Sequence, residues 1–303
     1  MVSARRGLGL ESVWTLADVG LDFTFPRLDW WALVRLGWAG TLRGVRHSTT
    51  TARAPEDLGA ASAFGSTLTL RTTWSDARRF VRSISDEEGR TLALEGAETS
   101  RRLGSDYDLS LARGSLAQYL RIPFTRHAVL ALRIAGGAAS GSIGNSAPFS
   151  LGGVAQPDVL GLLLGSGLQL PSFDELRGYP SGWLEGTGFA LANAELRFPI
   201  ASPDVGHTTW PIFLRRVHGA VFADLGDAFD LPGTLPFAGH PFRTDELRLG
   251  AGLEARLELA LAYFAVTDLR LGLGHAFGRV FHGESREPGV GWVQGWVVLG
   301  SAF

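Results

Sequence analysis

The residues best placed to do chemistry are Glu246, Arg248, Glu254, Arg256 and Glu258, which share one parity of a single run. Glu254 and Glu258 could act as a paired acid and base, because neighbouring carboxyl groups in unequal surroundings hold protons differently. Their interleaving with Arg248 and Arg256 favours another use, a ladder of opposite charges on one wet face. Two histidines, His127 and His218, fall on faces of polar parity, where solvated packing explains them more simply than a metal. Arg177 stands in a turn rich in glycine and proline. An exposed arginine in a turn would contribute little through an ion pair. In a confined space, however, a guanidinium and a carboxylate form fork-shaped, charge-assisted hydrogen bonds.

Several chemistries are excluded by absence. The chain has no cysteine, so disulfides, thiolate metal sites and a cysteine nucleophile are ruled out. No Gly-x-Ser-x-Gly elbow, His-Glu-x-x-His helix, phosphate-binding glycine-lysine loop or dinucleotide fingerprint occurs. A net charge of -2 leaves no electrostatic footprint for nucleic acid. The expectation is a non-enzyme that needs no cofactor and no metal.

The elements that would position these charges read as strands. Across residues 246–259 the charged parity alternates without a break against Leu247, Leu249, Leu253 and Leu257. That is longer than the usual soluble strand of about 5–6 residues and suits a tilted membrane strand of about 9–11. In residues 188–198, Ala190, Ala192, Ala194, Leu196 and Phe198 oppose Asn193, Glu195 and Arg197. Leu130, Leu132 and Ile134 oppose His127 and Arg133, and Leu68, Leu70, Thr72 and Trp74 oppose Thr67, Thr69, Arg71 and Thr73. Ala32, Val34, Leu36 and Trp38 oppose Arg35 and Gly37, while Leu269, Leu271 and Leu273 oppose Arg270, Gly272 and Gly274. In residues 7–25 the alternation is blurred, although Val13, Ala17, Val19, Leu21, Phe23 and Phe25 could share a face. Eleven or twelve strands are readable.

Apolar residues make up 45% and charged ones 19%, with mean hydropathy +0.11, too polar for helical spans and rather apolar for a soluble enzyme. An antiparallel transmembrane β-barrel lies between, read as one domain over residues 1–303. Residues 137–186 leave the strand pattern and are too long for an ordinary connection, so they read as a loop folded into the lumen. Trp30, Trp31, Trp38, Trp74, Trp183, Trp210, Trp292 and Trp296 could supply interfacial girdles. The amino terminus is basic but lacks an apolar core, so it does not read as a signal peptide; a barrel of the outer-membrane kind would then have its export signal and any periplasmic domains upstream.

Leu176-Arg177-Gly178-Tyr179, followed by Val221-Phe222-Ala223-Asp224-Leu225-Gly226, resembles the paired motifs of the bacterial surface antigen family, the superfamily of BamA, TamA and the two-partner-secretion transporters. The resemblance implies a sixteen-stranded outer-membrane barrel whose first strands are missing here. It implies that Arg177, Gly178 and Tyr179 form the tip of a lumenal loop facing Asp224 and Gly226, with Glu195 and Arg197 in the same network. Phe303, behind Val293, Val297 and Leu299, resembles the terminal sorting signal of such barrels. The implied location is the outer membrane of a Gram-negative bacterium, and the implied function is outer-membrane protein insertion or polypeptide translocation. The implied partners are outer-membrane lipid, unfolded outer-membrane or secreted polypeptides and periplasmic accessory proteins. Two other readings stand beside it: a passive anchor or pore for an upstream domain, and a soluble β-sandwich binding protein.

Overall fold

A computed structural model describes residues 10–46, 61–80, 83–125, 127–141, 147–154, 175–206, 212–261, 265–280, 291 and 293–299. The strands come in the order β1 (Leu10–Pro26), β2 (Trp31–Arg46), β3 (Ala61–Ser75), β4 (Gly89–Thr99), β5 (Leu109–Arg121) and β6 (Val129–Gly141). Two short strands follow, β7 (Phe149–Leu151) and β8 (Leu184–Gly186), and then β9 (Gly188–Ala201) and β10 (Val205–Gly206). The chain finishes with β11 (Ile212–Phe229), β12 (Arg248–Leu261), β13 (Ala265–Arg279) and β14 (Val293–Leu299). Twelve of these form one antiparallel sheet in the order β1-β2-β3-β4-β5-β6-β9-β11-β12-β13-β14, with β10 against β11. β7 and β8 make a separate ribbon inside the connection from β6 to β9.

Polarity is inverted relative to a soluble domain. Leu253 and Leu273 are 61% and 59% exposed, while Glu254 and Arg270, of the other parity, are 3% and 0% exposed. Leucine outside and paired charge inside is the arrangement that lipid selects and water does not. It also disposes of the soluble β-sandwich. The strands are long enough to cross a bilayer at a tilt, β11 running for 18 residues.

Four details depart from the sequence reading. β6 continues to Gly141, past the expected loop start, with Gly136, Gly137 and Ala138 still paired to β9. These residues show no polarity contrast because they must be small: a Cβ on Gly137 would stand 2.5 Å from Phe189 and 2.9 Å from Phe149. Glu246 lies in a 3-10 turn, Thr244–Glu246, rather than in β12. A bulge between Thr15 and Ala17 breaks the parity that would relate Val13 to Ala17, which explains the blurred first strand. Trp296 sits on the inward parity and packs on Phe222, ring centroids 5.7 Å apart, so it belongs to no girdle. Trp210, Trp292 and Phe303 lie outside the described residues.

Candidate functional site

The wall formed by β9, β11, β12 and β13 carries the inward charges. Register aligns Asp224 with Asn193 and Gly250, and Phe222 with Glu195 and Gly252. Arg256 aligns in turn with His218 and Arg270. Into this wall reaches the tip of the connection between β7 and β8, residues 175–180.

Arg177 is wholly buried there. Its Nε and Nη2 donate to Oδ2 and Oδ1 of Asp224 at 2.7 and 2.8 Å, and its backbone N–H donates to Oδ2 at 3.0 Å. Its Nη1 donates to Glu195 at 2.7 Å and to Glu254 at 3.5 Å. The guanidinium carbon stands 3.9 Å over the Phe222 ring, adding a cation–π contact within a desolvated site. Asn193 Nδ2 ties the same carboxylate to the loop, donating to Asp224 Oδ1 at 2.8 Å and to the Glu175 carbonyl at 3.1 Å.

The network widens from this centre. Glu195 also accepts from Arg197 at 2.6 Å and lies 2.7 Å from Arg256. Glu254 accepts from Arg256 and Arg270, and Arg270 reaches back to Glu175 of the loop at 2.9 Å. Four guanidinium groups (Arg177, Arg197, Arg256, Arg270) therefore face four carboxylates (Glu175, Glu195, Asp224, Glu254), and the buried set is neutral. Burial on this scale is tolerable only when each charge is paired.

Glycine makes the approach possible. Gly178 has φ +92, a left-handed conformation, and a Cβ there would stand 2.9 Å from the His275 carbonyl oxygen. On the wall, a Cβ on Gly250 would fall 2.0 Å from the Arg177 carbonyl oxygen. The loop backbone lies in a notch that side chains would fill. Tyr179, fully buried, donates through its hydroxyl to the Leu249 carbonyl at 3.0 Å and accepts from the Gly278 N–H at 3.0 Å. Gly226 leaves room for Leu191 and Leu176. Phe149, Leu151, Leu184 and Phe189 complete an apolar cluster around Leu176 and Tyr179.

The structure thus brings Arg177, Gly178, Tyr179, Asp224, Gly226, Glu195 and Arg197 to one place. Sequence reading did not connect Glu175, Asn193, Phe222, Glu254, Arg256 and Arg270 to them; inward parity was the signal available. Glu254 and Glu258 do not form an acid–base pair, since Glu258 meets Arg215 at 2.7 Å while Glu254 belongs to the Arg177 network. Among the described residues no group of three or more His, Asp or Glu side chains is placed to hold a metal ion. The arrangement is built to hold a loop against a wall.

No protein-family model and no curated protein matches the chain. Among solved structures it is similar to BamA from Haemophilus ducreyi, crystallised without POTRA domains 1-3, with a TM-score of 0.54 and 15% sequence identity. The match covers 96% of this chain and 54% of that one, so this chain spans about half the length of the solved protein. The likeness is one of fold: an all-β antiparallel sheet of the BamA barrel type.

Proposed function

We propose that the chain is the membrane-embedded part of an outer-membrane barrel that inserts or translocates polypeptide, with the connection 142–187 as its internal brace. What supports this reading is the likeness of fold to the BamA barrel, together with a wall braced from within. From β9 to β13 the wall is tied through Arg177 into a buried network. At the other side β1 is exposed along both parities, Leu21 and Phe23 outward, Asp18 and Asp22 inward. Among the described residues β1 pairs only with β2, and β14 only with β13. Unpaired strand edges are templates for another strand, and lipid does not tolerate them empty. The β1 and β14 edges are therefore covered in the membrane, by one another or by further strands.

The partners on this reading are outer-membrane lipid, unfolded outer-membrane or secreted polypeptides and periplasmic accessory proteins. Short connections such as 27–30 and 122–128 share one end of the sheet, and the longer 142–187 and 230–247 share the other. In barrels of this class short turns face the periplasm, which orients the chain. The test is the folding rate of an unfolded outer-membrane barrel in liposomes with and without the reconstituted chain. Acceleration supports the reading; an unchanged rate, with the chain properly inserted, removes it.

A passive anchor draws support from a different feature. The turn 76–88 reaches across the short-turn end of the sheet, where Arg216 of β11 donates to the Ser83 carbonyl and Arg79 lies 3.8 Å from Glu258 of β12. A lumen obstructed in this way suits an anchor better than an open pore. Planar-bilayer conductance distinguishes them, an anchor giving no stable open channel.

A further inference from the structure

Inside β1 to β6 the lumen is lined quite differently from the Arg177 wall. One row of directly opposed residues reads Gly20, Gly37, Thr69, Ala97, Leu111, Ala139. Leu111 apart, these side chains are small, and they carry only one hydroxyl among them. A cavity of about 900 Å³ is centred on this row, bordered by the residues that flank it in each strand, such as Leu36, Leu68 and Leu70, and Leu231 reaches it from the connection after β11. That size falls within the range of about 300–1,000 Å³ usual for small-molecule sites.

The next row is charged, with Asp22, Arg35, Arg71, Glu95 and Arg113 following one another in register. Glu95 accepts from Arg71 at 2.8 Å and from Arg113 at 3.0 Å, and Asp22 lies 3.5 Å from Arg35. Arg35 and Arg71 are directly opposed like charges, and the row sets three guanidinium groups, with Arg113, against two carboxylates, since Arg71 and Arg113 share Glu95. Their side chains remain 34% and 31% exposed. A second cavity of about 220 Å³ lies against both guanidinium-bearing residues, and Gly37 and Thr69 line the two cavities in common. Arg35 folds over Gly20, where a Cβ would stand 3.0 Å from its Nε, so its charge sits at the rim of the apolar chamber. Asp18 also lines the smaller cavity, which limits it to a ligand of low negative charge.

We propose that this half of the lumen binds a single-chain anionic amphiphile, its hydrocarbon lying along the row from Gly20 to Ala139 and its carboxylate or phosphate held by Arg35 and Arg71. The site is separate from the loop network and does not depend on the insertion reading. A peptide segment suits the apolar chamber less well. Away from the outer edge of β1, the backbone groups of these six strands are already paired with their neighbours, so a peptide bond buried over the middle of the row would find no partner there. A hydrocarbon needs none.

The test uses the full chain in phosphatidylcholine nanodiscs, a palmitate analogue carrying a diazirine near the chain end, and mass spectrometry of the adducts. Parity reads the location. Adducts on inward Thr69, Leu111 or Ala139 are expected, displaced by palmitate and displaced about tenfold less well by hexadecanol, which lacks the charge that arginine prefers. Stronger displacement by lysophosphatidic acid than by palmitate would assign a phosphate headgroup, and the reverse a carboxylate. Ala97→Trp should fill the chamber and abolish inward labelling, while labelling of outward Leu94 and Leu253, which do not line the cavity, by probe dissolved in the bilayer persists and reports a folded sheet. The double variant R35Q/R71Q should keep inward labelling but make palmitate and hexadecanol equal competitors. Labelling confined to outward residues away from the cavity, such as Leu94 and Leu253, in the unaltered chain overturns the proposal, as does equal displacement by the acid and the alcohol.

Discussion

Arg177 and Asp224, 47 positions apart, are joined by two parallel side-chain hydrogen bonds of 2.7 and 2.8 Å with neither residue exposed. The loop backbone adds a third bond to the same carboxylate. Side chain and main chain of one residue are fixed by one acceptor group, so the pair determines both where the loop tip sits and how it is turned.

Removing either partner leaves a buried charge uncompensated, which typically costs about 3–5 kcal/mol. Arg177→Ala should cost more than Asp224→Ala, because Arg177 also serves Glu195 and Glu254. The double variant should cost little more than Arg177→Ala alone, the coupling expected of groups in one network. Protease sensitivity of the connection 142–187, with heat-modifiable gel mobility, checks the cycle. Fully additive costs would show that the pair does not act as a unit.

The glycine notch gives a prediction independent of charge. Gly250→Val would place atoms where the Arg177 carbonyl lies, and Gly178→Ala would force a side chain into a left-handed conformation against the His275 backbone. A strained position of this kind costs about 1–3 kcal/mol. Both variants should release the loop to protease while leaving the sheet inserted. A loop equally protected in Gly250→Val would mean that its backbone does not rest on β12.

Much of this architecture is legible in sequence where the two faces differ in polarity. β12 shows it best, since each inward charge from Arg248 to Glu258 alternates with an apolar neighbour. Legibility fails where size rather than polarity is selected: Gly137 is small to admit Phe189 and Phe149, which a polarity pattern cannot express. Parity also ran too far at Glu246, where a 3-10 turn precedes the strand. Resemblance picked out Arg177 and Asp224, but the bond between Glu175 and Arg270 spans 95 positions. It depends on which strands become neighbours, which no local pattern states.

Leu253 tests the outer face. It lies on the apolar parity of β12, opposite Val221 and Leu273. Arginine near the bilayer midplane on a lipid-facing position costs about 2–4 kcal/mol, so Leu253→Arg should lower membrane stability by that order while Leu253→Ala costs much less. A spin label at Leu253 should be relaxed by lipid-soluble oxygen rather than by a water-soluble nickel reagent. The opposite preference would reverse the assignment of faces.

The turn 76–88 should loosen as pH falls. Glu87 in that turn is buried; burial raises its carboxyl, but hydrogen bonds from Ser83 and His127 and the charges of His127 and Arg121 outweigh this, leaving it below the usual glutamate value. Ser83 Oγ donates to Glu87 at 2.6 Å, His127 Nδ1 meets the same oxygen, and Arg121 Nε lies 3.5 Å from the other. Arg216 holds the Ser83 carbonyl from β11, and Asp86 stands next in sequence. A carboxyl depressed on folding contributes stability that is complete above its unfolded value, about 4.3 for glutamate, and is lost as pH falls through the lower folded value. The expected outcome is amides around Ser83 and Glu87 that are protected at neutral pH and lose protection, measured against the intrinsic exchange rate at each pH, once the pH passes below the ordinary carboxylate range. Glu87→Gln should exchange faster at neutral pH and remove the part of the pH dependence that Glu87 supplies. Protection in this turn that is independent of pH in the unaltered chain, or an unaltered pH dependence of protection in Glu87→Gln, would show that Glu87 is not what ties it across the barrel mouth.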